Sequence, residues 1–397
     1  MSRFVPGGFR VAGVHCGIKS NPTKNDLTLI VTDEPCVAAG VYTRNLIFAA
    51  PVAVDRARTP SARIRAVVAN SGNANACTGE RGLQDALDMA RCGAAVCGAA
   101  DDQALVLSTG IIGEFLPMAT IKQGIQAAAK CLGDDEPSFI SAARGIITTD
   151  RSHKISHRTV AVGNRSIRIA GMAKGAGMIG PNMATLLAVV LTDAPLTTDV
   201  AQALLQETAD ASFNCISVEG HMSTNDTLLL LASGRAGGAP LAGKQFDQFA
   251  QALRETCIEL ARTIPDDGEG ATHLITIDVR GCASVAAARQ IAQTVANSAL
   301  VKTAVAGADP NWGRIVSAAG YAQVPFDPQG VNLHVNGRLL YQRGEPVVFD
   351  ADAVSTSMRE NRETHIELSF AEGDAEIRFW TSDLTMEYVK INADYHT

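Results

Sequence analysis

Two features of the segment Lys174 to Asp193, KGAGMIGPNMATLLAVVLTD, offer chemistry. The first is a set of glycines. Gly175, Gly177 and Gly180 spell GxGxxG, the pattern that holds a dinucleotide pyrophosphate at a helix N-terminus. That use needs a helix to begin inside the motif. Here Pro181 follows at once, and Asn182-Met183-Ala184 leads into a strand-like run. No helix is then expected to supply the amides and the dipole. The plainer reading is a glycine loop that lets backbone pass close to backbone ahead of a central strand.

The second feature is Thr185, at the junction between that loop and the run TLLAVVL. A threonine hydroxyl is a poor nucleophile unless a base takes its proton. Making Thr185 the first residue of a chain places the base on the same residue, as its own α-amine. Such an amine has an ordinary pKa of about 7.7–8.0, so it can serve as base and then as acid near neutral pH. This requires a cut between Ala184 and Thr185. The hydroxyl can make that cut by attacking the Ala184 carbonyl, through an ester that water then hydrolyses. The small Ala184 and the upstream glycines suit the strained backbone this needs. Against this stands the ordinary role of a threonine opening a strand, and the residues alone leave both readings open.

The elements around these residues alternate. Leu27 to Thr32 and Ile64 to Ala69 read as buried strands, and Thr185 to Leu191 as a central one, apolar on both faces. Leu105 to Leu107 is a short apolar run followed by Ser108-Thr109-Gly110, read as a strand-end turn. Thr159 to Gly171 reads as a hairpin around Gly163-Asn164. Thr227 to Ala232 and Leu274 to Val279 complete the buried strands. Helical spacing marks Gly82 to Ala99, Ala119 to Cys131, Thr198 to Ser212 and Val285 to Ala299, and a long amphipathic stretch carrying Phe246, Phe249, Leu253, Cys257 and Leu260. The stretch from Val331 to Trp380 reads as strands, with turns at Asn336-Gly337 and Glu372-Gly373.

Composition bounds the rest. A chain of 397 residues, 46% hydrophobic and 19% charged, suits two to three domains or two large layered halves. A net charge of −7, with no basic stretch, argues against nucleic acid as partner. No run is long enough to span a bilayer and MSRFVPGGFR is not a signal peptide, so a cytoplasmic protein is expected. Nine scattered cysteines without a CxxC pair give no support for structural zinc or a disulfide framework.

The segment around Thr185 closely resembles the self-processing segment of the ornithine acetyltransferase (glutamate N-acetyltransferase) family, and the resemblance extends over nearly the whole chain. Gly8-Phe9-Arg10, Ala12-Gly13 and Gly17-Ile18-Lys19 are similar to the family's opening. Asn70 to Gly79 (NSGNANACTG), Ser108 to Gly113 (STGIIG), Thr148-Thr149-Asp150 and Ser223 to Thr227 (STNDT) follow its pattern. So do Asp267 to Thr272 (DGEGAT), Ala308 to Arg314 (ADPNWGR) and Ile391 to Thr397 (INADYHT).

The resemblance implies an α/β fold, a layered sandwich of mixed β-sheets with helices outside. It implies cleavage into an α chain, 1–184, and a β chain, 185–397, in an α2β2 assembly. Thr185 would be both the self-cleaving residue and the acetyl acceptor. Thr109, by its hydroxyl, and Gly110, by its amide, would form the oxyanion hole. Thr148, Lys174, Thr185, Glu269, Asn392 and Thr397 would contact substrate. The chemistry of the residues agrees: Lys174 or hydroxyl and amide groups can hold an α-carboxylate, and Glu269 can pair the side-chain ammonium of ornithine. The implied reaction carries acetyl from N2-acetyl-L-ornithine to L-glutamate by double displacement, in arginine biosynthesis. Both steps are acyl transfer, so neither metal nor organic cofactor is called for.

One stretch departs from the pattern. Where the family commonly has Asp-Gly-Asp-Thr, this chain has Glu219-Gly220-His221-Met222. The change puts the chemistry of that loop, including substrate preference, in question. His221 suggests a general base, a role that the Thr185 amine already fills. Three rival readings stand beside the main one. The first is a bifunctional enzyme that also takes acetyl from acetyl-CoA. The second is an N-terminal-nucleophile aminopeptidase of related fold. The third is a non-enzyme, either a nucleotide-binding module or an uncleaved, inactive relative.

Overall fold

The apolar β-branched runs form strands and the runs of helical period form helices. The computed structural model describes residues 4–163, 165–180 and 186–394. Its strands are β1 (Phe9–Val14), β2 (Leu27–Tyr42), β3 (Ser61–Asn73), β4 (Ala104–Ile111), β5 (Lys154–Val162), β6 (Arg165–Lys174), β7 (Leu187–Thr192), β8 (Ile216–Ser217), β9 (Thr227–Ala232), β10 (Leu274–Cys282), β11 (Asn332–Val335), β12 (Arg338–Gln342), β13 (Glu345–Pro346), β14 (Glu363–Ser369) and β15 (Ala375–Ser382). Its helices are α1 (Ala50–Arg58), α2 (Gly79–Val96), α3 (Met118–Ala129), α4 (Glu136–Gly145), α5 (Thr198–Ala211), α6 (Gly243–Asp266), α7 (Val285–Asn297), α8 (Ala299–Ala306), α9 (Trp312–Gly320), α10 (Ala351–Glu360) and α11 (Met386–Asp394).

The fold is α/β, with two mixed sheets layered with helices. The first sheet runs β4-β3-β2-β9-β7-β6-β5, and β1 pairs with β2. The long β2 is shared: its first part pairs with β1, and Val37 to Tyr42 pair with β9. The second sheet runs β13-β12-β11-β14-β10-β15-β8. Helix α6 packs on β5 and β6 of the first sheet and reaches β15 of the second, so it ties the two together. Helix α7 covers β10 and β15.

The inside of the first sheet explains the run at residues 187–192. All six residues of β7 are buried, between antiparallel β6 and parallel β9. Leu187, Val189 and Leu191 join Phe139, Ala142 and Ala143 of α4 in one core layer. Ala188 and Val190 face the other way, into the layer of Leu204 and Leu205 of α5 and Leu253 and Leu260 of α6. A strand buried on both faces has no room for polar alternation.

Some boundaries differ from the sequence reading. Strand β4 runs on to Ile111, so Ser108, Thr109 and Gly110 lie inside it and are not a turn beyond it. The stretch read as strands from Val331 contains a helix, α10. Its signal is thin: Val354 and Met358 are its only buried residues, and the cap is Asp350, which accepts the Ala353 N–H (3.0 Å). The Asn336-Gly337 turn is as expected, with φ of 47° and 75°. Asn164, at the expected hairpin tip, lies outside the described residues. All nine cysteines are free. Among the described residues no helix is long and apolar enough to cross a membrane.

Candidate active site

Six of the expected residues, Thr109, Gly110, Thr148, Lys174, Glu269 and Asn392, line one cavity of about 110 Å³. They come from β4, the connection after α4, the end of β6, the connection after α6, and α11. Ala184, Thr185 and Thr397 lie outside the described residues. Leu186, the residue after Thr185, is described: it is buried, and its N–H donates to Asp226, next in sequence to the cavity-lining Asn225.

The donors at Thr109 and Gly110 are placed by the parallel pairing of β3 and β4, in which Gly72 stands opposite Gly110. Gly110 has φ 135°, and a Cβ there would overlap the Gly72 carbonyl carbon, so only glycine fits. The end of β4 is clamped by Asn225, whose Nδ2 donates to the carbonyls of Ser108 (2.8 Å) and Ala74 (2.7 Å). Ser108 Oγ in turn donates to Asn70 Oδ1 (2.6 Å). Much of the NSGNANACTG and STNDT pattern therefore braces this corner.

Asp150 organises the opposite wall. Its Oδ1 accepts Lys154 Nζ (2.6 Å) and the Gly175 N–H (2.7 Å), and its Oδ2 accepts the Thr148 N–H (3.0 Å). Lys154 Nζ also donates to Asp267 (2.7 Å). Burial by itself would raise the Asp150 pKa, but the ammonium charges of Lys154 and Lys174 and these hydrogen bonds outweigh it and hold the carboxylate below its usual range. Lys174, the last residue of β6, is buried. Burial lowers its pKa, against the opposing pull of Asp150, Asp226 and Glu269.

Asp226 is also fully buried. Its Oδ1 accepts the Leu186 N–H (2.9 Å), so it fixes the backbone directly after Thr185. Its Oδ2 has no hydrogen-bond partner among the described residues. Burial pushes its pKa well above the carboxylate range, with Lys174 acting in the opposite direction.

The third side belongs to Glu269 and the chain end. Glu269 Oε2 accepts Asn392 Nδ2 (3.0 Å), and its N–H donates to the Ala176 carbonyl (2.9 Å). The loop expected to bring backbone against backbone does so at Gly180, where a Cβ would meet the Gly220 carbonyl carbon at 2.7 Å. Gly177 serves a different end: a Cβ there would lie 2.5 Å from the Glu269 carboxyl carbon. The glycine makes room for a carboxylate, and no helix starts within residues 175–180 to hold a nucleotide. His221 is exposed and does not line the cavity.

The sequence reading gave no role to Asp150, Lys154, Asn225 or Asp226. Asp150 and Asp226 stand inside the matched motifs, and Asp150 and Lys154 have the i,i+4 spacing of an ion pair. Spacing does not tell that this pair is buried.

The cavity thus sets two neutral donors on one wall, a buried ammonium on the second and a carboxylate on the third. An N-acylated amino acid carries the matching groups: an acyl carbonyl, an α-carboxylate and, for a diamino acid, an ammonium.

The model of the ArgJ family matches residues 10–397. The chain is 46% identical to the arginine biosynthesis bifunctional protein ArgJ of Rhodopirellula baltica, over 100% of this chain and 97% of that protein. It is 45% identical to the protein of the same name from Symbiobacterium thermophilum, over 99% and 98%. Among solved structures, that of the Bacillus halodurans protein of this name is similar, at 35% identity and a TM-score of 0.50. It covers 51% of this chain and 96% of its own.

Proposed function

This chain belongs to the ArgJ family, and on that premise we propose that it carries acetyl from N2-acetyl-L-ornithine to L-glutamate through an acetyl-Thr185 ester, after cutting itself between Ala184 and Thr185. The observation that carries the reading is the convergence of six expected residues, from five separate elements and connections, on one cavity.

The proposed steps follow from the chemistry. The Thr185 hydroxyl gives its proton to its own α-amine as its oxygen attacks the acetyl carbonyl. The carbonyl electron pair moves onto oxygen, where the Thr109 hydroxyl and the Gly110 N–H stabilise it. As the tetrahedral species collapses, the C–N bond breaks and the α-ammonium returns the proton to the departing ornithine amine. The free α-amine of glutamate then attacks the ester carbonyl and gives a proton to the Thr185 α-amine; the ester C–O bond breaks, that proton passes to the Thr185 oxygen, and N-acetylglutamate leaves. Lys174 holds the substrate α-carboxylate, and Glu269, oriented by Asn392, pairs the ornithine ammonium. Thr148 and Thr397 complete the proposed contacts.

The cut divides the chain into an α chain, 1–184, and a β chain, 185–397. A cytoplasmic location, an α2β2 assembly and use of acetyl-CoA as a second acetyl donor belong to the same proposal, and the transfer itself calls for no cofactor. Family membership favours acetyl transfer over peptide hydrolysis. The test is an assay of the purified protein with N2-acetylornithine and glutamate. Equal amounts of ornithine and N-acetylglutamate are expected, and none from Thr185→Ala. Absence of transfer by cut wild-type protein contradicts the reading.

A further inference from the structure

Met178 holds a backbone conformation that its residue type resists. Its φ is 59°, in the left-handed region that a Cβ disfavours. It stands in the stretch Gly175-Ala176-Gly177-Met178-Ile179-Gly180, where one more glycine would take that φ freely. Of the described non-glycine residues with positive φ, Met178 alone lines the cavity.

The loop is pinned on both sides of it. The Ala176 carbonyl accepts the Glu269 N–H (2.9 Å), and the Ile179 carbonyl accepts the N–H groups of Val218 (2.9 Å), Glu219 (3.3 Å) and Gly220 (3.0 Å). The residue between these anchors has to make the turn. Strain of this kind persists where the surroundings over-determine it, and it gathers at functional sites. Glycine would meet the demands of the backbone, so what methionine adds to the site is its side chain.

The composition of the cavity wall says what that side chain can do. Thr109, Gly110, Lys174, Glu269 and Asn392 supply polar groups, whereas Ala74, Ile112 and Met178 supply the apolar side chains. Ala74 offers a single methyl group and Ile112 is exposed. Met178 is half-buried and follows Gly177, where a Cβ would lie 2.5 Å from the Glu269 carboxyl carbon. A thioether is unbranched and packs well against an aliphatic chain, and it pairs with neither a carboxylate nor an ammonium. In an N2-acyl diamino acid, the part left for it is the row of methylenes between the α-carbon and the terminal ammonium.

We propose that Met178 is a specificity-determining residue: its side chain packs against those methylenes and so selects the length of diamino acid that fits between Lys174 and Glu269. This rests on the acetylornithine reading above, in which Lys174 holds the carboxylate and Glu269 the ammonium.

The test is kcat/KM, with glutamate as acceptor, for N2-acetylornithine and for N2-acetyllysine, which is one methylene longer. One methylene in an apolar pocket is worth roughly 10–200-fold, and cut wild-type protein is expected to favour acetylornithine by a factor in that range. Met178→Gly and Met178→Ala should each shrink the preference at least about fivefold. Met178→Leu, of similar volume, should keep it within about twofold. A merely structural methionine would lower the melting temperature on truncation and leave the ratio of the two donors unmoved. An unchanged ratio in Met178→Ala, or a ratio in Met178→Leu that falls as far as in Met178→Ala, overturns the assignment. So does equal use of the two donors by wild-type protein, which needs no variant to fold. Cut wild-type protein that transfers nothing from N2-acetylornithine overturns the underlying reading, and this assignment with it.

Discussion

Thr109 and Gly110 depend on each other's placement. The glycine lets the end of β4 pass over Gly72, and both residues line the cavity. Removal of one such donor typically costs about 10²–10³ in rate. Thr109→Ala should therefore lose about that factor in single-turnover release of ornithine, with its melting temperature close to that of wild type. A loss below fivefold would remove Thr109 from the proposed oxyanion hole. Glu219 makes a separate prediction about stability. Burial raises its folded pKa to about 8, above the ordinary 4.5. The folded protein therefore binds more protons than the unfolded chain between these values, and stability falls as pH rises through that window. Glu219→Gln should flatten the fall, so that the variant is more stable than wild type by at least about 1 kcal/mol at pH 8 and by less at pH 5. Thermal melts at the two pH values check this. At this scale the sequence was legible through motifs. Thr109, Gly110, Thr148, Lys174, Glu269 and Asn392 could be picked out because the whole order of motifs matched a family. Residue type alone gave Thr109 only as part of a strand-end turn. Asp226 stayed unnoticed because its role is a contact with the Leu186 amide, and a contact across 40 residues has no signature in spacing.

Among the elements, the join between β5, β6 and the end of α6 depends on a buried ion network. Asp150 links the Lys154 ammonium, the Gly175 amide and the Thr148 amide, and Lys154 reaches Asp267 at the C-terminal end of α6. Asp150→Asn keeps the shape and removes the charge, leaving Lys154 with Asp267 as its carboxylate partner and Lys174 without one of the three carboxylates that act on it. Breaking a buried pair in this way costs about 3–5 kcal/mol, here toward the lower end. The Asp150 contribution is fully present above the ordinary carboxylate pKa of 3.8 and is lost as pH falls through its depressed folded value. Denaturant melts should show the variant less stable at pH 7, with the gap narrowing on acidification. Equal stability at pH 7 would mean that the network is dispensable. Elements with strong periodicity were legible: β9 has the bounds read from the sequence, and α6 contains the whole expected stretch. Helix α10 was not, since two buried residues among ten leave little pattern to read. The extension of β4 through Thr109 was missed because glycine usually ends a strand, whereas here the close approach to β3 requires it.

The whole molecule is divided by chemistry more than by packing. Strand β7 begins two residues after the proposed cut, yet it is the inner strand between β6 and β9 and is buried on both faces. Full burial of a Val or Leu side chain is worth about 1.5–3 kcal/mol, so the five apolar residues of β7 hold the second fragment to the first. The two fragments should co-elute in native buffer and separate only in denaturant. Fragments that part in native buffer would contradict the placement of β7. No stretch of linker composition marks this division, which is why composition gave no boundary. The central claim is that Thr185 becomes a chain start, and intact mass spectrometry of the purified wild-type protein under denaturing conditions tests it most directly. The account predicts two masses, the second belonging to a chain that begins at Thr185, and a single full-length mass for Thr185→Ala. A single full-length mass for active wild-type protein would contradict it, because the proposed catalytic base would not exist.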